Sequence, residues 1–70
     1  MSTCRSAIQE ARELLQGYLV HVPPSINSAS IDTVRRFKDD IKYGKRRVGN
    51  PRSTLMDLQG AINQLDRYWR

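Results

Sequence analysis

The sequence lacks most of what stabilises or equips a small protein. It contains one cysteine and one histidine, Cys4 and His21, so no disulfide can form within the chain and no metal-ligand set is present. No apolar run approaches the roughly 18 residues that a membrane span needs. The first residues, Met-Ser-Thr-Cys-Arg-Ser, lack the apolar core of a signal peptide. These absences predict a soluble cytoplasmic protein without a metal, a cofactor or a membrane partner.

Catalytic arrangements are missing as well. Cys4 and His21 lie 17 residues apart, and no second histidine could serve as a general base. Gly44 and Gly49 are isolated glycines, whereas a phosphate-binding loop needs several close together. A chain of 70 residues also has little interior in which to build a pocket for a small-molecule substrate. We therefore expect no enzyme activity and no catalytic residues.

The size of the chain favours association. Its 70 residues form a single domain at most, here 1–70, with a thin hydrophobic core. Small domains of this kind are usually stabilised by disulfides, by a metal or by oligomerisation. Since the first two are missing, we expect oligomerisation, and a symmetric homodimer is the commonest form.

Apolar periodicity predicts helices throughout, at about 3–21, 31–48 and 53–69. In the first segment, apolar residues alternate at steps of four and three, which places one stripe on a helix: Cys4, Ile8, Ala11, Leu15, Tyr18 and Val22. Arg5 and Arg12 fall on a separate polar stripe, where we expect them to be solvated. Pro23 and Pro24 end this helix, and residues 23–29 form a loop.

The second and third helices carry recognisable start and stop signals. Ser30 is the expected N-cap of the second helix, and Gly49, which can adopt a left-handed conformation, is expected to end it before Pro51. Gly44 on the apolar side suggests close helix approach, with a dimer axis as one location. Thr54 and Asp57 resemble a capping box at the start of the third helix. Trp69 is expected to anchor the core or the dimer. The fold class is therefore all-α, a three-helix chain that forms a symmetric homodimeric helical bundle.

Positive charge is concentrated in the second helix. Twelve lysines and arginines oppose seven acidic residues in the whole chain, a net charge of +5. Eight of the twelve lie between Arg35 and Arg52, where only Asp39 and Asp40 oppose them, so this stretch carries +6. Seven of the eight form what we call the basic face: Arg35, Arg36, Lys38, Lys42, Lys45, Arg46 and Arg47. Such a density of cations favours a polyanionic partner.

The residues around these cations favour an RNA duplex. Binding to single strands uses exposed aromatic platforms, and Tyr43 is the one aromatic residue that falls within the basic face. Reading of DNA sequence uses Asn, Gln and Arg at base edges, and the predicted second helix has neither Asn nor Gln. Recognition of phosphates and shape is the ordinary mode for double-stranded RNA.

Two short motifs resemble the RNA-binding domain of influenza non-structural protein one. Ile31-Asp32-Thr33-Val34-Arg35-Arg36 is similar to the Leu-Asp-Arg-Leu-Arg-Arg run of its second helix, and Ser53-Thr54-Leu55 to the start of its third. The resemblance implies a dimeric double-stranded RNA binder in which Arg36 has the essential role and Arg35 lies beside it. Thr33 and Asp39 depart from basic positions of that family.

The chain also resembles the insect nodavirus suppressors of RNA silencing. Ile8-Gln9-Glu10 and Val34-Arg35-Arg36 are similar to runs in those proteins at nearly the same spacing. The resemblance implies a small helical dimer that hides double-stranded RNA from the host, with Arg47 at the RNA surface. Thr54 stands where that family has a key arginine, and Pro51 would interrupt one of its helices.

The predicted function is therefore sequence-independent binding of double-stranded RNA by a helical homodimer, in the host cytoplasm, as a viral suppressor of RNA silencing or of RNA sensing. Two alternatives remain open from the residues. One is a small helical adaptor that binds an acidic protein, and the other is a small DNA-binding regulator.

Overall fold

Helices form almost all of the part of the chain that the computed structural model describes, residues 6–70. In chain order the elements are α1 (Ala7–Val20), a 3₁₀ helix (Pro24–Ser28), α2 (Ile31–Gly49), α3 (Leu55–Asp66) and a second 3₁₀ helix (Arg67–Trp69). Residues 6–70 contain no β-strand. The all-α class and the three-helix order are thus confirmed, whereas the homodimer stays a prediction.

The start of α1 is defined by a serine cap. The Ser6 side chain accepts a hydrogen bond from the Gln9 backbone N–H at 3.2 Å, which satisfies one of the free donors of the first turn. The α-helix therefore begins at Ala7, later than the predicted start at about residue 3. Cys4 and Arg5, to which the sequence assigned a core position and a solvated position, lie outside the described residues.

The cap of α2 follows the prediction at its start but not at its end. Ser30 accepts from the Thr33 N–H at 3.3 Å. At the other end, Gly49 keeps a negative φ and stays within the helix, so the expected left-handed ending is wrong. Instead, the carbonyl of Arg47 accepts from the Asn50 N–H at 3.3 Å and from the Ser53 hydroxyl at 2.6 Å. These bonds satisfy a carbonyl that the end of a helix leaves free.

The predicted capping box opens α3. The Thr54 hydroxyl accepts from the Asp57 N–H at 3.2 Å, and the Asp57 carboxylate accepts from the Thr54 N–H at 3.1 Å. The bond from the Thr54 N–H lowers the pKa of Asp57, because it stabilises the ionised carboxylate. The α-helix ends at Asp66 and tightens into the second 3₁₀ helix, so it is shorter than the predicted 53–69.

The connection between α1 and α2 is ordered rather than an open loop. Pro23 is buried, and the first 3₁₀ helix follows it directly. The Ser25 hydroxyl donates to the backbone carbonyl of Tyr68 at 2.5 Å. This bond ties the connection to the second 3₁₀ helix and so closes one end of the bundle.

The core belongs mainly to α3. Its buried apolar residues are Leu58, Ala61, Ile62 and Leu65, while α1 adds Ala11 and Leu15, and α2 adds Phe37. The helix with the fewest buried apolar side chains is thus the one with the most cations. Ten of the nineteen α2 residues are exposed, and six of these ten are lysines or arginines.

Gly44 is the point where α2 comes closest to its neighbours. A Cβ atom built there would lie 2.9 Å from Leu19 Cδ2, 3.4 Å from Leu15 Cδ1 and 3.5 Å from Leu65 Cδ1. The close approach predicted from the sequence is therefore present, but it occurs within one chain. Because Gly44 is already buried against its own α1 and α3, the close approach does not depend on a dimer axis at this glycine.

Arg12 binds the end of α2 instead of pointing into solvent. Its two terminal nitrogens donate to the carbonyls of Val48, at 2.7 Å, and Asn50, at 2.9 Å. A guanidinium at a helix C-terminus satisfies free carbonyls and opposes the negative end of the helix dipole. The prediction that Arg12 is solvated is wrong, because helical periodicity does not show which neighbouring helix end a long side chain reaches.

Candidate nucleic-acid interface

Six residues of the basic face are exposed on α2: Arg35, Arg36, Lys38, Lys42, Lys45 and Arg46. Among residues 6–70, none of these six side chains forms an ion pair or a hydrogen bond. Their charged groups are therefore not held in salt bridges within that part of the chain. An arrangement of this kind can attract an anionic partner without first breaking internal contacts.

Arg47, the seventh predicted residue, has a different environment. Its guanidinium lies 4.9 Å from the centroid of the Tyr43 ring and 3.8 Å from the Asp57 carboxylate. Tyr43 is half-buried. Arg47 is thus engaged with its own chain through a cation–π contact and a weak ion pair. The structure places it beside the basic face but gives it a role in joining α2 to α3.

Three lysines line an apolar groove on one flank of α2, which we call the lysine groove. Its volume is about 340 Å³, and Lys38, Lys42 and Lys45 contribute one side of it. The rest is formed by Phe37 and Ile41 of α2 and by residues at and beyond the end of α1: Leu19, Val20, His21 and Val22. Val20 is 75% exposed and Val22 is 63% exposed. The lysines of this flank therefore border apolar surface.

The opposite flank of α2 is polar and faces the second 3₁₀ helix. A cleft of about 430 Å³, which we call the arginine cleft, is lined by Thr33, Arg36, Asp39, Asp40, Arg67 and Tyr68. The Tyr68 hydroxyl donates to Asp40 at 2.6 Å. Burial, and then this bond to a carboxylate, raise the pKa of Tyr68 to about 12. The phenol therefore stays protonated at neutral pH and holds Asp40 in place.

Arg35 and Arg46 complete the face on the side of α2 that points away from the core. Both are exposed, and they lie eleven positions apart in the sequence. At 1.5 Å per residue, this separation corresponds to about 16 Å along the helix axis. The two flanks and this outer side together carry the six exposed cations, with Asp39 between the outer side and the arginine cleft.

Arg67 is the basic residue of this region that the sequence did not predict. It belongs to the second 3₁₀ helix, yet it lines the arginine cleft with Arg36, 31 positions earlier in the chain. The positive charges of both arginines act to lower the pKa of Tyr68, against the larger effect of its burial. Both side chains line the same cleft as Tyr68. The spacing of residues in the sequence could not have predicted that Arg36 and Arg67 share a cleft, because this depends on how α3 packs beside α2.

An apolar surface lies outside the basic face, between α1 and the second 3₁₀ helix. It is formed by Leu14, Gly17, Tyr18, His21 and Trp69. The Tyr18 and Trp69 rings meet edge to face with centroids 6.3 Å apart, and Trp69 remains 40% exposed. Trp69 is thus a partly exposed surface residue rather than part of the buried core, while its predicted role at a dimer interface stays a prediction.

Residues 6–70 contain no group of three or more His, Cys, Asp or Glu side chains that could hold a metal ion. Nor does that part of the chain contain a helix long and apolar enough to cross a membrane. Comparisons with protein-family models, curated proteins and solved structures found no match to this chain. The partner of the basic face must therefore be inferred from the chemistry of its own residues.

Proposed function

We propose that this chain binds double-stranded RNA through its phosphate backbone, without reading base sequence, and that it does so as a homodimer. The observation that carries the proposal is the set of six exposed cations on α2, none of which is paired with another residue of 6–70. Each phosphate that they neutralise releases condensed counterions, which provides affinity that is independent of sequence.

The chemistry of α2 favours phosphate contact over base reading. The helix contains no Asn or Gln, the side chains that pair with adenine edges. Its cations are distributed over two flanks and an outer side, which suits contact with the two phosphate strands bordering a groove. Contacts to phosphates fix the position of a protein on a duplex and carry no sequence information.

The aromatic residues disfavour single-stranded nucleic acid as the ligand. Phe37 is buried and Tyr43 is half-buried beneath Arg47, so α2 offers no free ring on which a base could stack. Single-strand binders depend on such stacking. A duplex, whose bases are already stacked, needs no platform from the protein.

A homodimer would double the cationic surface, and the small core gives a reason for association. The two viral resemblances agree with this assembly and suggest the role: to cover double-stranded RNA in the host cytoplasm and so suppress RNA silencing or RNA sensing. The partly exposed apolar surface around Leu14 and Trp69 offers one area that association could cover.

Fluorescence anisotropy tests the proposal directly. The labelled ligands are an RNA duplex of about 20 base pairs, the matching DNA duplex and the single-stranded RNA, at two salt concentrations. We expect the RNA duplex to bind most tightly and its affinity to fall steeply with salt, because several phosphates are neutralised. Absence of binding to all three ligands at low salt would refute the proposal.

The site is tested by the double variant Arg35→Ala with Arg36→Ala. We expect it to abolish duplex binding while the helical circular-dichroism signal is kept, since both side chains are exposed and neither is paired within the described residues. Arg52→Ala with Arg70→Ala removes the same charge from outside α2, and this control should keep most of the affinity. Equal losses in the two double variants would mean that net charge, rather than this face, determines binding.

The lysine groove favours a second candidate function, an adaptor that binds an acidic amphipathic helix. Lysines beside exposed Val20 and Val22 would complement a segment with acidic residues next to apolar ones. This candidate predicts that Val20→Ser with Val22→Ser weakens the complex with such a peptide and leaves the affinity for duplex RNA unchanged. Unchanged affinity for the peptide in this variant would rule out the adaptor role of the groove.

A further inference from the structure

Two carboxylates lie where phosphate binding alone would disfavour them. Asp39 and Asp40 are the only acidic residues of α2 beyond its first turn, and both line the arginine cleft. A carboxylate close to a phosphate is repelled by it. The arrangement is favourable only if the ligand also supplies hydrogen-bond donors at this position.

The cleft combines unused donors with unused acceptors. Among the described residues, Arg36, Arg67 and Asp39 form no ion pair or hydrogen bond, although all three line the same cleft. Asp40 differs, since its Oδ2 accepts from the Tyr68 hydroxyl. That bond holds Asp40 against Tyr68, whereas both oxygens of the Asp39 carboxylate remain available as acceptors in the cleft that Arg36 and Arg67 also line.

A ligand that satisfies such a cleft has an anionic group and a hydroxyl donor a short distance apart. A ribose phosphate has both, in its phosphate and its 2′-hydroxyl. Deoxyribose phosphate has only the anion, so the carboxylate would repel it without compensation. In A-form RNA the 2′-hydroxyls are displayed along the wide, shallow minor groove, where side chains can reach them.

We infer that the arginine cleft binds a ribose phosphate of the RNA duplex, with Arg36 and Arg67 donating to the phosphate and Asp39 accepting a hydrogen bond from the 2′-hydroxyl. The inference rests on the proposed function and adds the determinant that separates RNA from DNA. It also adds Arg67 and Asp39 to the binding residues.

Three duplexes of one sequence separate hydroxyl recognition from recognition of shape: RNA, DNA, and RNA with 2′-fluoro substitution. The 2′-fluoro duplex keeps A-form geometry but has no hydroxyl to donate. We expect the protein to bind it about tenfold more weakly than RNA, the ratio that one hydrogen bond to a charged acceptor supplies. Equal affinity for RNA and 2′-fluoro RNA would overturn the inference and leave the proposed function intact.

The variant Asp39→Ala tests the residue. Removing a negative charge from a basic face should strengthen binding to every duplex, but RNA also loses its hydrogen bond. We therefore expect the affinity ratio of RNA to 2′-fluoro RNA to fall from about tenfold to near one. Asp32→Ala, an exposed carboxylate in the first turn of the same helix, serves as the matched control and should leave the ratio unchanged.

The outcomes are distinguishable. A ratio that stays at the wild-type value in Asp39→Ala would overturn the assignment of Asp39, and a ratio that falls equally in Asp32→Ala would attribute the effect to charge alone. Arg67→Ala should weaken binding to all three duplexes, whereas an unchanged affinity would remove Arg67 from the site. Failure of every duplex to bind the unaltered protein would refute the proposed function, and this inference with it.

Discussion

The lysine groove and the arginine cleft flank the same helix, yet their cations have different surroundings. On one flank, Lys38, Lys42 and Lys45 border exposed aliphatic side chains at the end of α1. On the other, Arg36 shares a polar cleft with carboxylates and a phenol. Lysine is a flexible point charge, whereas arginine donates several hydrogen bonds in a fixed geometry. The first flank is therefore suited to general electrostatic attraction, and the second to recognition of a defined chemical group.

The largest effect should come from a substitution that displaces α2 itself, because this helix carries both flanks. Gly44→Leu places a side chain where Leu15, Leu19 and Leu65 already fill the space, so α2 must move away from α1 and α3. We expect the free energy of unfolding to fall by about 3 kcal/mol, the upper end of the usual cost of overpacking. Urea denaturation followed by circular dichroism measures it.

The matched control is Gly60→Leu in α3. Nothing lies within 4 Å of a Cβ built at Gly60, so leucine fits there without contact. Its higher helix propensity should raise stability by up to about 1 kcal/mol. A loss of stability as large as that of the Gly44 variant would contradict the close approach of α2 to its neighbours.

The next largest effects should be losses of RNA affinity, which compare the two flanks. Lys38→Ala with Lys42→Ala and Lys45→Ala should lower duplex affinity about a hundredfold at physiological salt and flatten the salt dependence by about three phosphate contacts per protomer. Arg36→Ala with Arg67→Ala should lower the affinity about thirtyfold and flatten the salt dependence by about two contacts per protomer. Anisotropy titrations over a range of salt give both slopes. If the lysine variant keeps the wild-type slope, the lysine groove does not contact phosphate.

A smaller effect is expected for the support of α2. Arg12→Ala removes two hydrogen bonds to the carbonyls of Val48 and Asn50, and we expect about 1.5 kcal/mol of lost stability from these part-exposed, charge-assisted bonds. Arg46→Ala is the control and should change stability little, because Arg46 is exposed and forms no hydrogen bond or ion pair with any of residues 6–70. Equal stability of the two variants would contradict a stabilising role for the Arg12 hydrogen bonds at the end of α2.

The smallest effect should appear in alkaline solution. The pKa of Tyr68 is raised to about 12, so its contribution to stability is fully present below the unfolded pKa of 10.0. It is lost as pH rises towards the folded value, because the unfolded chain then releases the proton more readily. Tyr68→Phe should cost about 1 kcal/mol at neutral pH and should remove this part of the alkaline dependence. Thermal unfolding between neutral pH and about pH 11 compares the two proteins; identical pH profiles would contradict the raised pKa of Tyr68.

The sequence predicted the features of the fold that depend on neighbouring residues. Periodicity identified three helices, and local pairs such as Thr54 with Asp57 identified their caps. The ending of α2 was not predictable in this way. The prediction rested on the conformational freedom of Gly49, whereas the last carbonyls of the helix are bonded by Ser53, which follows it, and by Arg12, which lies in α1. A residue's preference decides a helix end only where no distant donor reaches it.

The same distinction applies to the candidate site. Six exposed cations followed from composition and helical spacing, because residues on the outer side of one helix need no knowledge of the tertiary fold. Arg67 and the carboxylates of the arginine cleft did not follow, since the return of the chain after α3 brings them together. The sequence also placed Arg47 among the RNA-binding cations, whereas Tyr43 and Asp57 engage its guanidinium.

The hydrogen bonds of Arg12 to the end of α2 affect the order in which parts of the protein unfold. Helix ends normally fray first, since their last carbonyls are bonded to water alone. Here the end of α2 is held by a residue 36 positions earlier, so this turn cannot loosen unless α1 moves as well. The carboxyl-terminal turns of the cationic helix should therefore exchange their amide hydrogens together with α1, as one cooperative unit. A ligand that binds α2 would then slow hydrogen exchange in a helix that it does not touch.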